Sequence, residues 1–153
     1  MYADLKERLL SKAEIKTILE RAGIQSTQQR LEIALVILSR PQHLSADQLL
    51  ALVNRNGQGV SKATVYNTLG LFARKGVVRE VVVDPNRVFY DSNTNEHHHL
   101  YNEDTGTLMD IYADCLLSEA LPEIPKDTKL VGVDVVIRVR NAEPGSHENP
   151  MPD

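Results

Sequence analysis

The sequence predicts an α+β protein: an N-terminal winged helix-turn-helix domain over residues 1–92, a small α/β dimerisation domain over 93–140 and a disordered tail over 141–153. Three observations predict it. Before residue 76, apolar residues recur at helical spacing behind capping residues. After it, the β-branched run Val77–Val83 returns through Asp84-Pro85-Asn86 as Arg87-Val88-Phe89-Tyr90, a hairpin pattern. A second turn, Glu103-Asp104-Thr105-Gly106, and an alternating apolar run near the end then imply a separate small sheet.

Taken in order, Ser11-Lys12-Ala13-Glu14 reads as a capping box that opens a helix over about 12–22, with Gly23 as its stop. Residues 2–10 are either a further turn of that helix or an arm. Ser26-Thr27-Gln28-Gln29 offers the next N-cap, Leu31, Leu35 and Leu38 mark the buried stripe, and Pro41 ends the helix. Ser45-Ala46-Asp47-Gln48 repeats the capping signature, with Leu49, Leu52 and Val53 inward and Asn56-Gly57 as a turn. Ser61 caps a fourth helix whose Val65, Leu69 and Phe72 face the core, closed by Gly76. A short helix is expected from about Ala113 to Leu121, and a long strand from Lys129 to Arg140. One strongly apolar face on so small a module calls for self-association, so a homodimer is expected. Residues 141–153, NAEPGSHENPMPD, read as tail, with His147 a bystander.

Composition bounds the function. The chain has 153 residues, a net charge of −4 and a single cysteine, Cys115. That cysteine count excludes an intrachain disulfide and a four-cysteine zinc site. No long apolar run suggests a membrane span or secretory leader, so a cytoplasmic location is expected. Charge is divided: residues 1–92 carry 13 Lys+Arg against 9 Asp+Glu, and residues 93–153 carry 4 against 12. A basic first half suits a polyanionic partner.

The chemistry concentrates in Asn95–Asp110, NEHHHLYNEDTGTLMD. Side chains alternate along a strand, so His97 and His99 share a face and His98 points away. A turn centred between Asp104 and Thr105 sets His99 opposite Asp110, and cross-strand Cβ atoms lie about 5 Å apart. Two imidazoles and a carboxylate on one face suit one divalent metal: zinc, iron(II) or manganese. The competing reading is a solvated histidine loop.

The fourth helix carries the second constellation, Ser61, Lys62, Thr64, Tyr66 and Asn67. A helix N-terminus favours phosphate. Ser61, Lys62 and Thr64 suit backbone oxygens, Tyr66 a hydrogen bond or a thymine methyl, and Asn67 adenine. The bland alternative is a capped amphipathic helix with a wet polar face. With a helix before it and a hairpin after it, binding to double-stranded DNA is the expectation, two half-sites being read by a dimer.

At this point the residues resemble a known family. Gln42-His43-Leu44-Ser45-Ala46-Asp47-Gln48-Leu49, Ala63-Thr64-Val65-Tyr66-Asn67-Thr68-Leu69, Phe89-Tyr90-Asp91 and His97-His98-His99 are similar, in that order, to the ferric uptake regulator superfamily. Within it the chain looks most like the iron response regulator branch. The features are the A-T-V-Y-N-T-L helix, the histidine triplet without a CxxC, the L-P-E-I-P segment and the V-V-I-R-V-R strand.

The resemblance implies a dimeric, sequence-specific repressor of iron homeostasis with a regulatory metal, one per chain, at the hinge between the domains. Carried over residue by residue, the site would be His43, Asp91, His97, His99 and Asp110, so the resemblance adds His43, at the start of the third helix, and Asp91. The branch also implies haem, with His97, His98 and His99 as candidate ligands. Departures matter. Asn102 and Thr105 stand where many members have the first zinc CxxC, and there is no second pair, so no structural zinc of that kind is expected. The second metal site of the superfamily would use Glu96 and His98, but Leu117 stands at its carboxylate position.

Two other functions compete. A peroxide sensor of the same superfamily would use the same five positions. A metal-dependent hydrolase needs an open coordination position and a general base, and five protein ligands with no HExxH leave little room for it.

Overall fold

The computed structural model describes residues 9–55, 59–112 and 121–143. The described residues are α+β, with their helices in the first half of the chain and two small sheets. It divides into two compact units, Met1–Asn95 and Glu96–Asp153.

In the first unit α1 (Lys12–Arg21) starts on a capping box: Ser11 Oγ accepts from Glu14 N, and Ser11 N donates back to Glu14. It stops at Gly23, whose φ of 73° is in the left-handed region. Gly23 N donates to Glu20 O and Ile24 N to Leu19 O, the paired bonds of a Schellman cap. That cap turns Ile24 back onto Leu19, and both are buried. Thr27 caps α2 (Gln28–Leu38), which buries Ile33, Ala34 and Ile37 as well as Leu31 and Leu38. Ser45 and Gln48 form a second capping box at α3 (Ala46–Asn54). Ser61 caps α4 (Lys62–Arg74). Its end repeats the Schellman pattern, with Gly76 N to Ala73 O and Val77 N to Phe72 O.

One core joins these helices. Ile15, Leu19, Ile33, Ile37, Leu49, Val65, Leu69 and Phe72 are fully buried in it. Asn54 closes the connection between α3 and α4: its Nδ2 donates to Val60 O and its Oδ1 accepts from Val60 N, both at 2.9 Å. The hairpin is β2 (Arg79–Asp84) and β3 (Arg87–Asp91).

A third strand was not expected. His43–Ser45 forms β1, and the sheet order is β1-β3-β2. His43 is therefore in a strand and not at the start of the third helix. The reason lies in Ser45: as N-cap its backbone is extended, and the helix begins only at Ala46. The extended residues before it then pair with the free edge of β3, with His43 opposite Asp91.

The second unit holds β4 (His98–Asn102), β5 (Thr107–Ile111) and β6 (Val136–Val139) in the order β5-β4-β6. The β4–β5 pair is antiparallel with His99 opposite Asp110, as counting from the turn predicts. The long strand expected over 129–140 shrinks to Val136–Val139, parallel to β4. A strand needs a partner for its backbone. Val136 stands opposite His99, near the start of β4, so earlier residues pass the end of that strand and Val131 is 95% exposed. The helix expected over 113–121 lies outside the described residues but for Leu121, as do Asn56-Gly57 and all of the tail after Glu143. Asn141, at the start of that tail, is tied down: it bonds Asn102 and Asp104.

Candidate metal and nucleic-acid sites

Alternation along β4 and β5 sorts the second sheet into two faces. His99 and Tyr101 share one with Leu108 and Asp110. His97 joins that side, and its ring packs edge-on to His99 with centroids 4.5 Å apart. Both imidazoles are 3% exposed. Their Nε2 atoms converge on one atom, Asp110 Oδ1, each at 3.4 Å. One ligand atom from each of the three lies within 4.8 Å of the other two. Two nitrogens and an oxygen so placed fit one face of a divalent ion's coordination shell.

The sequence did not single out Tyr112. It stacks against His97 at 5.9 Å, and its hydroxyl lies 3.5 Å from Asp110 Oδ2. Such a partner orients a ligating side chain. Its position on the same side as Asp110, two residues on in the strand direction, is the signal that could have found it. His98 points elsewhere, as alternation requires, and its Nδ1 accepts Val135 N–H at 3.3 Å.

The remaining two residues of the expected set belong to the first unit. Asp91 ends β3, 1% exposed, with Asn93 N donating to its Oδ1 at 2.8 Å. A buried carboxylate needs such partners to offset lost hydration. His43 stands directly across from it in β1 and meets Phe89 edge-on. Arg79, on the other side of β3, is also opposite Asp91.

The fourth helix presents its polar face as expected, with some reassignments. Val65, Leu69 and Phe72 anchor one side in the core, leaving Ser61, Lys62, Tyr66 and Asn67 exposed and Thr64 half-buried. Ser61 Oγ accepts from Thr64 N, and the two hydroxyls bond each other at 2.9 Å. That bond uses one of their two hydroxyl hydrogens, so the pair keeps one for a phosphate oxygen. Asp47 at the start of α3 was not expected here. Tyr66 Oη donates to its Oδ1 at 3.4 Å, and Lys62 Nζ lies 3.7 Å from the same atom. Lys62 also sits 5.6 Å from the Tyr66 ring centre.

Residues 21–139 match the sequence pattern of the ferric uptake regulator family. The chain belongs to this family. Its proteins are metal-responsive, DNA-binding transcription regulators and not enzymes. Among curated proteins, the chain is 31% identical over 94 residues to the peroxide-responsive repressor PerR of Staphylococcus epidermidis, a match covering 61% of this chain and 63% of that protein. Among solved structures it is similar to the ferric uptake regulator of Pseudomonas aeruginosa with manganese, 26% identical with a TM-score of 0.65, over 84% of this chain and 98% of that one. The Vibrio cholerae ferric uptake regulator, 24% identical, superposes with a TM-score of 0.68 over 82% of this chain and 98% of that one, a likeness of fold. No helix among the described residues is long and apolar enough to cross a membrane.

Proposed function

We propose that this protein is a dimeric, sequence-specific repressor of iron homeostasis of the iron response regulator branch, in which one divalent ion sets its affinity for operator DNA. The observation that carries this reading is the convergence of His97 and His99 on Asp110. The donor set fits iron(II), manganese or zinc, with neutral imidazoles and an ionised carboxylate as ligands. His43 and Asp91, opposite each other across β1 and β3, would complete the shell. The ion would then take ligands from both units and fix the angle between them. DNA affinity follows through the ion's preference for one arrangement of the units.

The DNA-reading element on this account is α4, held on its buried face and preceded by α3, with β2–β3 as the wing of a winged helix-turn-helix. Ser61, Lys62 and Thr64 take phosphate, while Tyr66 and Asn67 face base edges. The dimer reading is supported by the sheet face opposite His97 and His99, where Leu100, Met109 and Ile137 form an apolar row across three strands. Met109 is 57% and Ile137 38% exposed, a row that a second copy would cover.

The likeness to the peroxide-responsive repressor PerR supports a second reading, peroxide sensing through an iron bound at the same residues. Haem is a further candidate ligand, but the site offers it less. His97 and His99 are buried against each other, and the Val135 bond at Nδ1 leaves the His98 Nε2 protonated, without the lone pair that iron needs.

The deciding experiment titrates operator affinity against iron(II), manganese(II), zinc(II) and haem, with and without peroxide. A metal-dependent change insensitive to peroxide supports the iron reading. Loss of the iron-loaded state alone on peroxide treatment supports the second. An affinity indifferent to every ion and to haem would remove both.

A further inference from the structure

The first unit also holds a cavity that neither the metal nor the DNA reading uses. Its volume is about 590 Å³, inside the span of roughly 300–1,000 Å³ that small-molecule sites occupy. Leu10, Ile18, Leu38 and Val77 supply its apolar wall, and Ser92–Asn95 close one side. Arg21, Arg40 and Lys75 line it too, and all three are exposed. Among the described residues none of these three side chains has an ion-pair or hydrogen-bond partner. Among the described residues no carboxylate lines the cavity.

Cations near helix ends complement the helix dipole, and Arg21 ends α1 while Lys75 follows α4. That explains Arg21 and Lys75 singly. It does not explain why three from different elements line one apolar cavity with no counter-charge among the described residues, where mutual repulsion is a cost. An amphipathic anion would relieve that repulsion and cover the apolar wall together.

We propose that this cavity binds a small aliphatic carboxylate, its tail against Leu10, Ile18, Leu38 and Val77 and its head group facing Arg21, Arg40 and Lys75. A concave site of this size takes a single free molecule and not a bilayer surface. The proposal uses none of the candidate metal ligands or DNA contacts, so it stands or falls separately from them.

The test uses the full metal-free chain with labelled methyl groups, titrated below the micellar range with decanoate, decanol and decylammonium. Decanoate should saturate one site and shift the methyl signals of Ile18, Leu38 and Val77. Decanol should bind about tenfold more weakly, since it lacks charge-assisted hydrogen bonds, and decylammonium should leave these signals in place. The double variant Arg40→Glu, Lys75→Glu should lose decanoate binding by a similar factor with an unchanged melting curve. Should that variant melt early, the three head groups compared on the unaltered chain decide alone. Unmoved methyls, or decylammonium binding as well as decanoate, overturns the proposal.

Discussion

The helical unit buries Ile15, Leu19, Ile33, Ile37, Leu49, Val65, Leu69 and Phe72 completely, whereas the sheet unit buries only Tyr101 and Leu108 among its described apolar residues. The sheet unit instead buries two imidazoles and leaves Met109, Tyr112, Leu130 and Val131 exposed. The contrast shows where each unit draws its stability. The first has a core of its own, and side-chain caps and paired bonds close its helix ends. The second relies on polar contacts, and on the proposed reading also on an ion and a second copy. Its turn illustrates the polar part. Asn102 ends β4 and opens the turn. Its Oδ1 accepts from Asp104 N and Thr105 N, and its Nδ2 donates to Asn141. Arg140 pairs with Glu103 at 2.7 Å, and Asn141 N donates to Asp104 at 2.8 Å. Hydrogen bonds thus join the β4–β5 turn to the chain leaving β6.

The largest effect is expected in the helical core. Phe72→Ala should cost about 3–5 kcal/mol and lower the denaturant midpoint of the helical signal. A cost within a few tenths of a kcal/mol would mean that the core is not what holds this unit. In the sheet unit, His97→Ala with His99→Ala should bring bound metal, read by elemental analysis, to background while the helical circular dichroism stays. Ile137→Glu should shift the sedimenting species toward monomer, and an unchanged dimer would move the pairing surface elsewhere. Asn102→Ala should lower stability by about 1–2 kcal/mol, given a net worth of roughly 1 kcal/mol for an ordinary hydrogen bond. The smallest effect is alkaline. Burial, then the charges of Glu80 and Tyr66, raise the Tyr90 phenol above its ordinary value. The native state therefore keeps this proton after the unfolded chain has lost it, and stability falls as pH rises above about 10. Tyr90→Phe should flatten that fall in a pH series of melting curves.

Legibility in the sequence followed the range of the interactions. Ser11, Ser45 and Ser61 cap helices through bonds three residues away, and Gly23 and Gly76 close them through equally local ones, so both were readable. In Ser26-Thr27 the same local pattern left the cap open between two neighbours, and Thr27 takes it. The facing of His99 and Asp110 was readable because a tight turn fixes register by counting. Strand β1 was not, because its partner β3 lies more than forty residues on and its own three residues carry no pattern. The overlong strand at 129–140 failed for a related reason: alternation shows which residues can share a face, not how much partner strand is available. Asp47 was read only as a capping-box residue, since its link to Lys62 and Tyr66 crosses between two helices.

On the proposed reading ligands from both units serve one ion, and the most direct measurement of it is a manganese(II) titration followed by electron paramagnetic resonance. The intact chain should bind one equivalent tightly. Asp91→Ala should weaken that binding by orders of magnitude, and His99→Ala should do the same. An Asp91→Ala chain that binds manganese as tightly as the parent would confine the ion to the sheet unit and remove its hold on the DNA-reading half.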